Sequence, residues 1–184
     1  MVAASSIIHG QAQNPLYEVS DSSFVWQWLL KEIEVTLLVE KSVFQLFDKN
    51  RQFGNKHECG GLLFVDSNNK NGLVLSMATP PNSRDKSTKY SLDFDPERCR
   101  TETKDANEKN LRLIGYWHSH PENIPNISPK DMQSFRKLIK DNPLELPSPI
   151  AVIVGRNKGP DGIRAWLING DNIYRAEFQP IIKE

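Results

Sequence analysis

The sequence predicts an α/β protein. Short apolar runs rich in Val, Ile, Leu and Phe recur from residue 34 to residue 178 and read as strands. Three stretches, beginning near Glu40, Asp95 and Ser128, carry helix-start signals or apolar residues close to helical spacing. Clusters of Gly, Asn, Asp and Pro separate the two kinds of segment. At 184 residues the chain is sized for one domain with a real core.

Taken in order, residues 1–23 are polar and weakly patterned, as in a loose tail. Phe24–Leu30 is too apolar for a free linker; it reads as packing on the domain, or else as a partner-binding patch. We therefore divide the chain into an extension, residues 1–30, and a domain, residues 31–184. Glu34–Val39 is β-branched and predicts the first strand. Val43, Phe44, Leu46, Phe47 and Phe53 predict a helix over Glu40–Phe53, stopped by Gly54-Asn55. Glu58–Val65 predicts a buried strand, Asp66–Gly72 a turn and Leu73–Ala78 the returning strand of a hairpin. Thr79–Asp85 is a loop, and Tyr90–Phe94 alternates as a short strand. Asp95-Pro96 reads as an N-cap followed by Pro at the first helical position, opening a charged helix to about Asn110.

Leu111–Trp117 predicts a strand, and Glu122–Ile127 an irregular loop. Ser128-Pro129-Lys130-Asp131 opens a helix that presents Phe135, Leu138 and Ile139 on one face and is ended by Pro143, Pro147 and Pro149. Ile150–Val154 is a buried, interior type of strand. Gly162–Ile168 and Asn172–Phe178 predict a terminal hairpin turning at Asn169-Gly170.

Composition excludes several classes of function. Lys plus Arg and Asp plus Glu are both 23, so no charge excess points to nucleic acid or an anionic membrane. No apolar run is long enough to cross a bilayer, and residues 1–10 lack the pattern of a signal peptide, so the expected location is cytoplasmic. Cys59 and Cys99 do not make a disulfide framework, and Cys59 reads as a small buried hydrophobe.

The stretch with chemistry in it is His118-Ser119-His120-Pro121. Two histidines one residue apart on a strand share a face, so both imidazoles reach one ion. After His120 and seven intervening residues stands Ser128, and after two more Asp131, a hard oxygen ligand. Two nitrogens and a carboxylate fill three corners of a zinc tetrahedron and leave the fourth for water, as in catalytic zinc sites. Upstream, Glu58 is a carboxylate able to handle that water's proton. Each residue alone has an ordinary explanation: Ser128 and Asp131 as a helix cap, His118 and His120 as packing, Glu58 as a salt-bridge partner. Together those explanations need several coincidences, whereas a metal needs one cause. His57, Trp117, Trp166 and the charged stretch Glu97–Lys109 are assigned no chemistry.

The set Glu58, His118-Ser119-His120, Ser128 and Asp131 resembles the JAMM signature of the JAB/MPN metalloprotease family, over about Val35 to Trp166. Glu58-Cys59-Gly60-Gly61 and Gly115–Glu122 resemble its bacterial branch, in particular JAB peptidases of mobile elements and antiphage operons. The resemblance implies a cytidine-deaminase-like fold, a mixed central sheet flanked by helices. It implies one Zn2+ per chain on His118, His120 and Asp131, with Glu58 moving the proton and Ser128 stabilising the oxyanion. It also implies hydrolysis after the C-terminal Gly-Gly of a ubiquitin-like protein, with activating- and conjugating-enzyme homologues as further partners. Thr79–Phe94 or Glu122–Ile127 would wall the substrate groove, and Gly60-Gly61 would let a substrate backbone come close. Two alternatives are a peptidase that trims a sulfur-carrier protein and a non-catalytic MPN module. The long insertions that grip a second ubiquitin in eukaryotic relatives are absent from the sequence.

Overall fold

The computed structural model describes residues 23–66 and 68–181. The strands are β1 (Phe24–Leu30), β2 (Val35–Glu40), β3 (Gly60–Asp66), β4 (Leu73–Ala78), β5 (Lys86–Thr88), β6 (Ser91–Asp93), β7 (Leu111–Ser119), β8 (Ile150–Val154), β9 (Ile163–Asn169), β10 (Asn172–Arg175) and β11 (Glu177–Pro180). The helices are α1 (Lys41–Lys49), α2 (Pro96–Asn107) and α3 (Pro129–Asp141). Nine strands form one sheet in the order β10-β9-β8-β7-β3-β4-β2-β1-β11, and β5 pairs with β6 as a separate ribbon. The large sheet is mixed: β2 runs parallel to β4 and β7 to β8, while the other neighbours are antiparallel.

Side-chain alternation divides the core into two faces. On one face Trp26, Trp28, Leu63, Val65, Trp117, Val152 and Val154 pack together with Val43 and Phe47 of α1. On the other, Ala151, Ile153 and Trp166 meet Met132 and Phe135 of α3. Leu62 and Phe64 on that side meet Ala106 of α2. Strand β8 is buried along its whole length because both of its faces are covered.

The two edge strands of the sheet are consecutive in the chain. Arg175 pairs with Trp166 in β9, and Glu177 pairs with Leu29 in β1. Only Ala176 lies between them, so the opposite edges sit within about two Cα steps, ~7 Å. The sheet therefore curls until it nearly closes, with the Trp26 and Trp28 face inward. The expected terminal hairpin is correct in its first arm and its start. Its second arm, however, leaves β9 at Ala176 and crosses to β1. The turn itself is Gly170-Asp171, since Asn169 pairs with Asn172 and Gly170 takes the positive φ of 59°.

Other expectations shift by a few residues. Helix α1 stops at Lys49 rather than Phe53, because the Asn50 side-chain amide donates back to the Leu46 carbonyl and the chain then turns inward. Phe53 is consequently exposed. Strand β7 runs two residues beyond Trp117 and takes in His118 and Ser119. The Asp95 cap is present, its carboxylate accepting the Arg98 amide. Phe24–Leu30 packs on the domain as a strand, so the last seven residues of the extension share the sheet; residues 1–22 lie outside the described residues. No helix among the described residues is long and apolar enough to cross a membrane.

Candidate metal centre

His118 stands near the end of β7, opposite Gly60 on β3 and Ile153 on β8. His120 lies one residue past the strand, and its amide donates to the Val154 carbonyl at 2.9 Å, so the sheet geometry continues to it. Both histidines are buried, and their Nε2 atoms face each other at 3.0 Å. Asp131 reaches the same point from α3. Its Oδ1 is 3.1 Å from His118 Nε2 and its Oδ2 is 3.4 Å from His120 Nε2.

Helix capping brings Asp131 there. The Asp131 amide donates to Ser128 Oγ at 3.1 Å, and Asp131 Oδ2 accepts the Ser128 amide at 2.8 Å, a reciprocal capping box. The cap and the candidate ligand are thus the same side chain, and the capping bonds fix its direction. Ser128 Oγ accepts through a lone pair, so its own O–H remains able to donate.

One ligand atom from each of His118, His120 and Asp131 falls within 4.8 Å of the others. Two imidazole nitrogens and a carboxylate converging on one buried point are a donor set that fits a zinc-type cation. Electrostatics agree with this. Burial works to raise the Asp131 pKa, but hydrogen bonds from His118 and His120 hold it far below the usual carboxylate range. Burial opposes a charged His120, but the bonded Asp131 and the nearby Glu58 and Glu122 carboxylates raise its proton affinity.

Glu58 sits on the other flank. It is buried, and Oε1 lies 4.0 Å from His120 Nε2, outside the three-residue cluster. Burial, with a lesser push from Asp131, raises its pKa to about 7, against the pull of His120. Its amide donates to the Thr88 carbonyl of the β5–β6 ribbon at 2.8 Å. The next residue extends the β3–β7 pairing: Ser119 N donates to Cys59 O at 2.8 Å, and Cys59 N donates to Ser119 Oγ at 3.0 Å. Burial pushes the Cys59 thiol above its ordinary pKa, which suits a packing role rather than a nucleophile. His57, by contrast, is exposed.

Gly60 and Gly61 do not line a substrate slot as expected. A Cβ on Gly60 would stand 2.2 Å from Trp117 O and 2.7 Å from Leu92 Cδ2. One on Gly61 would stand 2.1 Å from Thr79 O. The glycines admit the protein's own strand and ribbon. The sequence reading also passed over Arg51 and Gln52, both buried, and the buried Arg98–Asp85 ion pair at 2.6 Å that ties the ribbon to α2.

The comparisons with known proteins agree with this geometry. The profile of the family described as prokaryotic homologs of the JAB domain matches residues 40–169. The chain belongs to this JAB/MPN family. It is 30% identical over 138 residues to a CD-NTase/cGAS isopeptidase of Pseudomonas aeruginosa (strain BWHPSA011 / Pa011), covering 73% of this chain and 86% of that protein. The fold is similar to the solution structure of a protein from Desulfitobacterium hafniense, with a TM-score of 0.54 and 23% identity over 79% of this chain and 91% of that one. The α/β architecture with a mixed sheet and flanking helices is that of the JAB/MPN family.

Proposed function

We propose that this JAB-family chain is a zinc-dependent isopeptidase or peptidase that cleaves after the C-terminal Gly-Gly of a ubiquitin-like protein. The observation that carries this is the convergence of His118, His120 and Asp131 with Glu58 on a separate flank 4.0 Å from His120. In this reading the triad holds one Zn2+ per chain. When bound there, zinc acidifies a water ligand and polarises a carbonyl. Glu58, held in a buried position where its pKa is about 7, takes the proton of the attacking water and delivers it to the leaving amine. The free O–H of Ser128 donates to the developing oxyanion, and the capping bond to Asp131 N keeps Oγ in place.

Likeness to a CD-NTase/cGAS isopeptidase supports an isopeptide substrate; to this reading we add a place in antiphage defence, with operon-encoded activating and conjugating enzyme homologues as partners. The likeness also favours this reading over the sulfur-carrier peptidase. The complete ligand set disfavours a non-catalytic module. We assign residues 31–184 to the peptidase domain and residues 1–30 to an extension that adds β1, and we place the protein in the cytoplasm. Either the ribbon, whose Thr88 carbonyl accepts the Glu58 amide and which exposes Tyr90, or the loop that follows His120 and exposes Ile124, forms the groove wall in this reading. The test is incubation of the purified protein with a Gly-Gly-tailed ubiquitin-like fusion, with and without a chelator. Chelator-sensitive cleavage is expected, and an intact fusion under both conditions would remove the reading.

A further inference from the structure

Glu58 belongs to no helix or strand, and β3 begins two residues after it. Its place is set by the segment 50–57 and by the ribbon, and one side chain joins the two. Gln52 is 1% exposed, and its amide nitrogen donates to the Lys56 carbonyl at 2.8 Å and to the Lys89 carbonyl at 2.9 Å. Lys56 is two residues before Glu58. Lys89 follows Thr88, whose carbonyl accepts the Glu58 amide at 2.8 Å. The three bonds close a ring around the backbone of Glu58.

The same residue is also linked, through Arg156, to the chain just past His120. Arg156 Nε donates to the Gln52 carbonyl at 3.0 Å, and the Arg156 amide donates to the Glu122 carbonyl, two residues past His120, at 2.7 Å. Beside it, the buried Arg51 guanidinium donates to the carbonyls of Gly155 and Gly159 at 2.7 and 2.8 Å. Gln52 Oε1 is buried without a hydrogen-bond partner, so the side chain serves through its two donors.

We propose that Gln52 is a positioning residue for the reaction: its buried amide fixes the Glu58 carboxylate relative to His118, His120 and Asp131. The catalytic part of this inference rests on the isopeptidase reading; the geometric part does not. A proton-transfer group on an irregular segment must be held from both sides, because small misplacements cost large factors in rate. A donor pair that spans segment and ribbon does this, whereas an apolar side chain of equal size would fill the space without holding either.

The test uses the full chain carrying Gln52→Met, which keeps the volume and removes both donors. In the metal-free protein, amide hydrogen exchange should show lost protection at Glu58, with Leu62–Val65 and Val152 as protected as in wild type. On a Gly-Gly-tailed ubiquitin-like fusion, kcat per bound zinc should fall about 10- to 100-fold with KM and zinc content unchanged. In a Glu58→Gln background, Gln52→Met should cause little further loss, since the group it positions is gone. If the Met variant does not fold, Gln52→Asn, whose shorter amide cannot span both carbonyls, takes its place with the same expected results. Retained protection at Glu58, or a full additional loss in the Glu58→Gln background, overturns the proposal. Exchange needs no substrate, so absence of cleavage by wild type would count against the isopeptidase reading alone.

Discussion

Glu58 is where burial and chemistry pull in opposite directions. Its folded pKa of about 7 lies above the ordinary 4.5 because its charge is buried. A carboxyl whose pKa rises on folding binds protons better when folded, so the metal-free protein loses stability as pH climbs from about 4.5 to 7. Gln at this position does not titrate. Metal-free Glu58→Gln should therefore match wild type near pH 4.5 and exceed it at pH 8 by roughly 2–3 kcal/mol, as read from denaturant midpoints at both pH values. The zinc-loaded variant should keep its metal yet lose ~100-fold or more in turnover, the range for a missing proton-transfer group. Near wild-type turnover by the Gln variant would take Glu58 out of the mechanism. His118→Ala and Asp131→Ala should instead lose zinc itself by elemental analysis, because each removes one of three ligand atoms.

His118, His120 and Asp131 were legible in the sequence through their spacing, and Glu58 through the resemblance that singles it out. His118 and His120 share a strand face, and the capping pattern fixes Asp131 one turn from the helix start. Arg51 and Gln52 were not legible. A polar pair just past a helix end looks like ordinary solvated chain, and only the tertiary carbonyls of Lys89, Gly155 and Gly159 give it a reason to be buried.

Two elements set the site from either side. Strand β7 leads into the histidines, and the segment carrying Glu58 leads into β3, where Gly60 lets Trp117 and Leu92 close against the strand start. Gly60→Ala should destabilise the protein by about 1–3 kcal/mol, since the backbone of Trp117 cannot yield. Thermal melts should show the loss, and hydrogen exchange should place it at the β3–β7 and ribbon contacts; an unchanged melting temperature would contradict the packing account. The expectation that these glycines served substrate approach failed for a plain reason: a sequence shows that a backbone must come close, not whose backbone it is. Helix α3 carries two duties at its first turn. Ser128→Ala should cost ~1 kcal/mol of stability through the lost cap and should also lower turnover with zinc retained.

At the scale of the whole molecule, the sheet holds its shape by meeting itself. Strands β10 and β11 are one run of chain that leaves β9 and joins β1 with Ala176 between, and the Gln27 and Gln179 side chains bond across the join at 3.0 Å. Local pattern read residues 172–178 as the arm of a hairpin, because nothing near them in sequence reveals pairing with residues 26–29. Truncation after Arg175 should expose the β1 edge, lower the melting temperature and promote concentration-dependent association, measurable by light scattering. The mixed order of parallel and antiparallel neighbours brings the end of β7, the approach to β3 and the start of α3 to one rim of the sheet, where His118, His120 and Asp131 form the candidate metal site.

The most direct test of the central claim is a matched pair of ubiquitin-like fusions ending in Gly-Gly or Gly-Val before the cleavage point, digested and read by mass spectrometry. Protein is used as purified, after chelation, and after zinc is restored. The account predicts cleavage after the second Gly, loss of it on chelation, recovery with zinc, and little cleavage of the Val fusion. Cleavage that survives chelation, or equal cleavage of the two fusions, would contradict it.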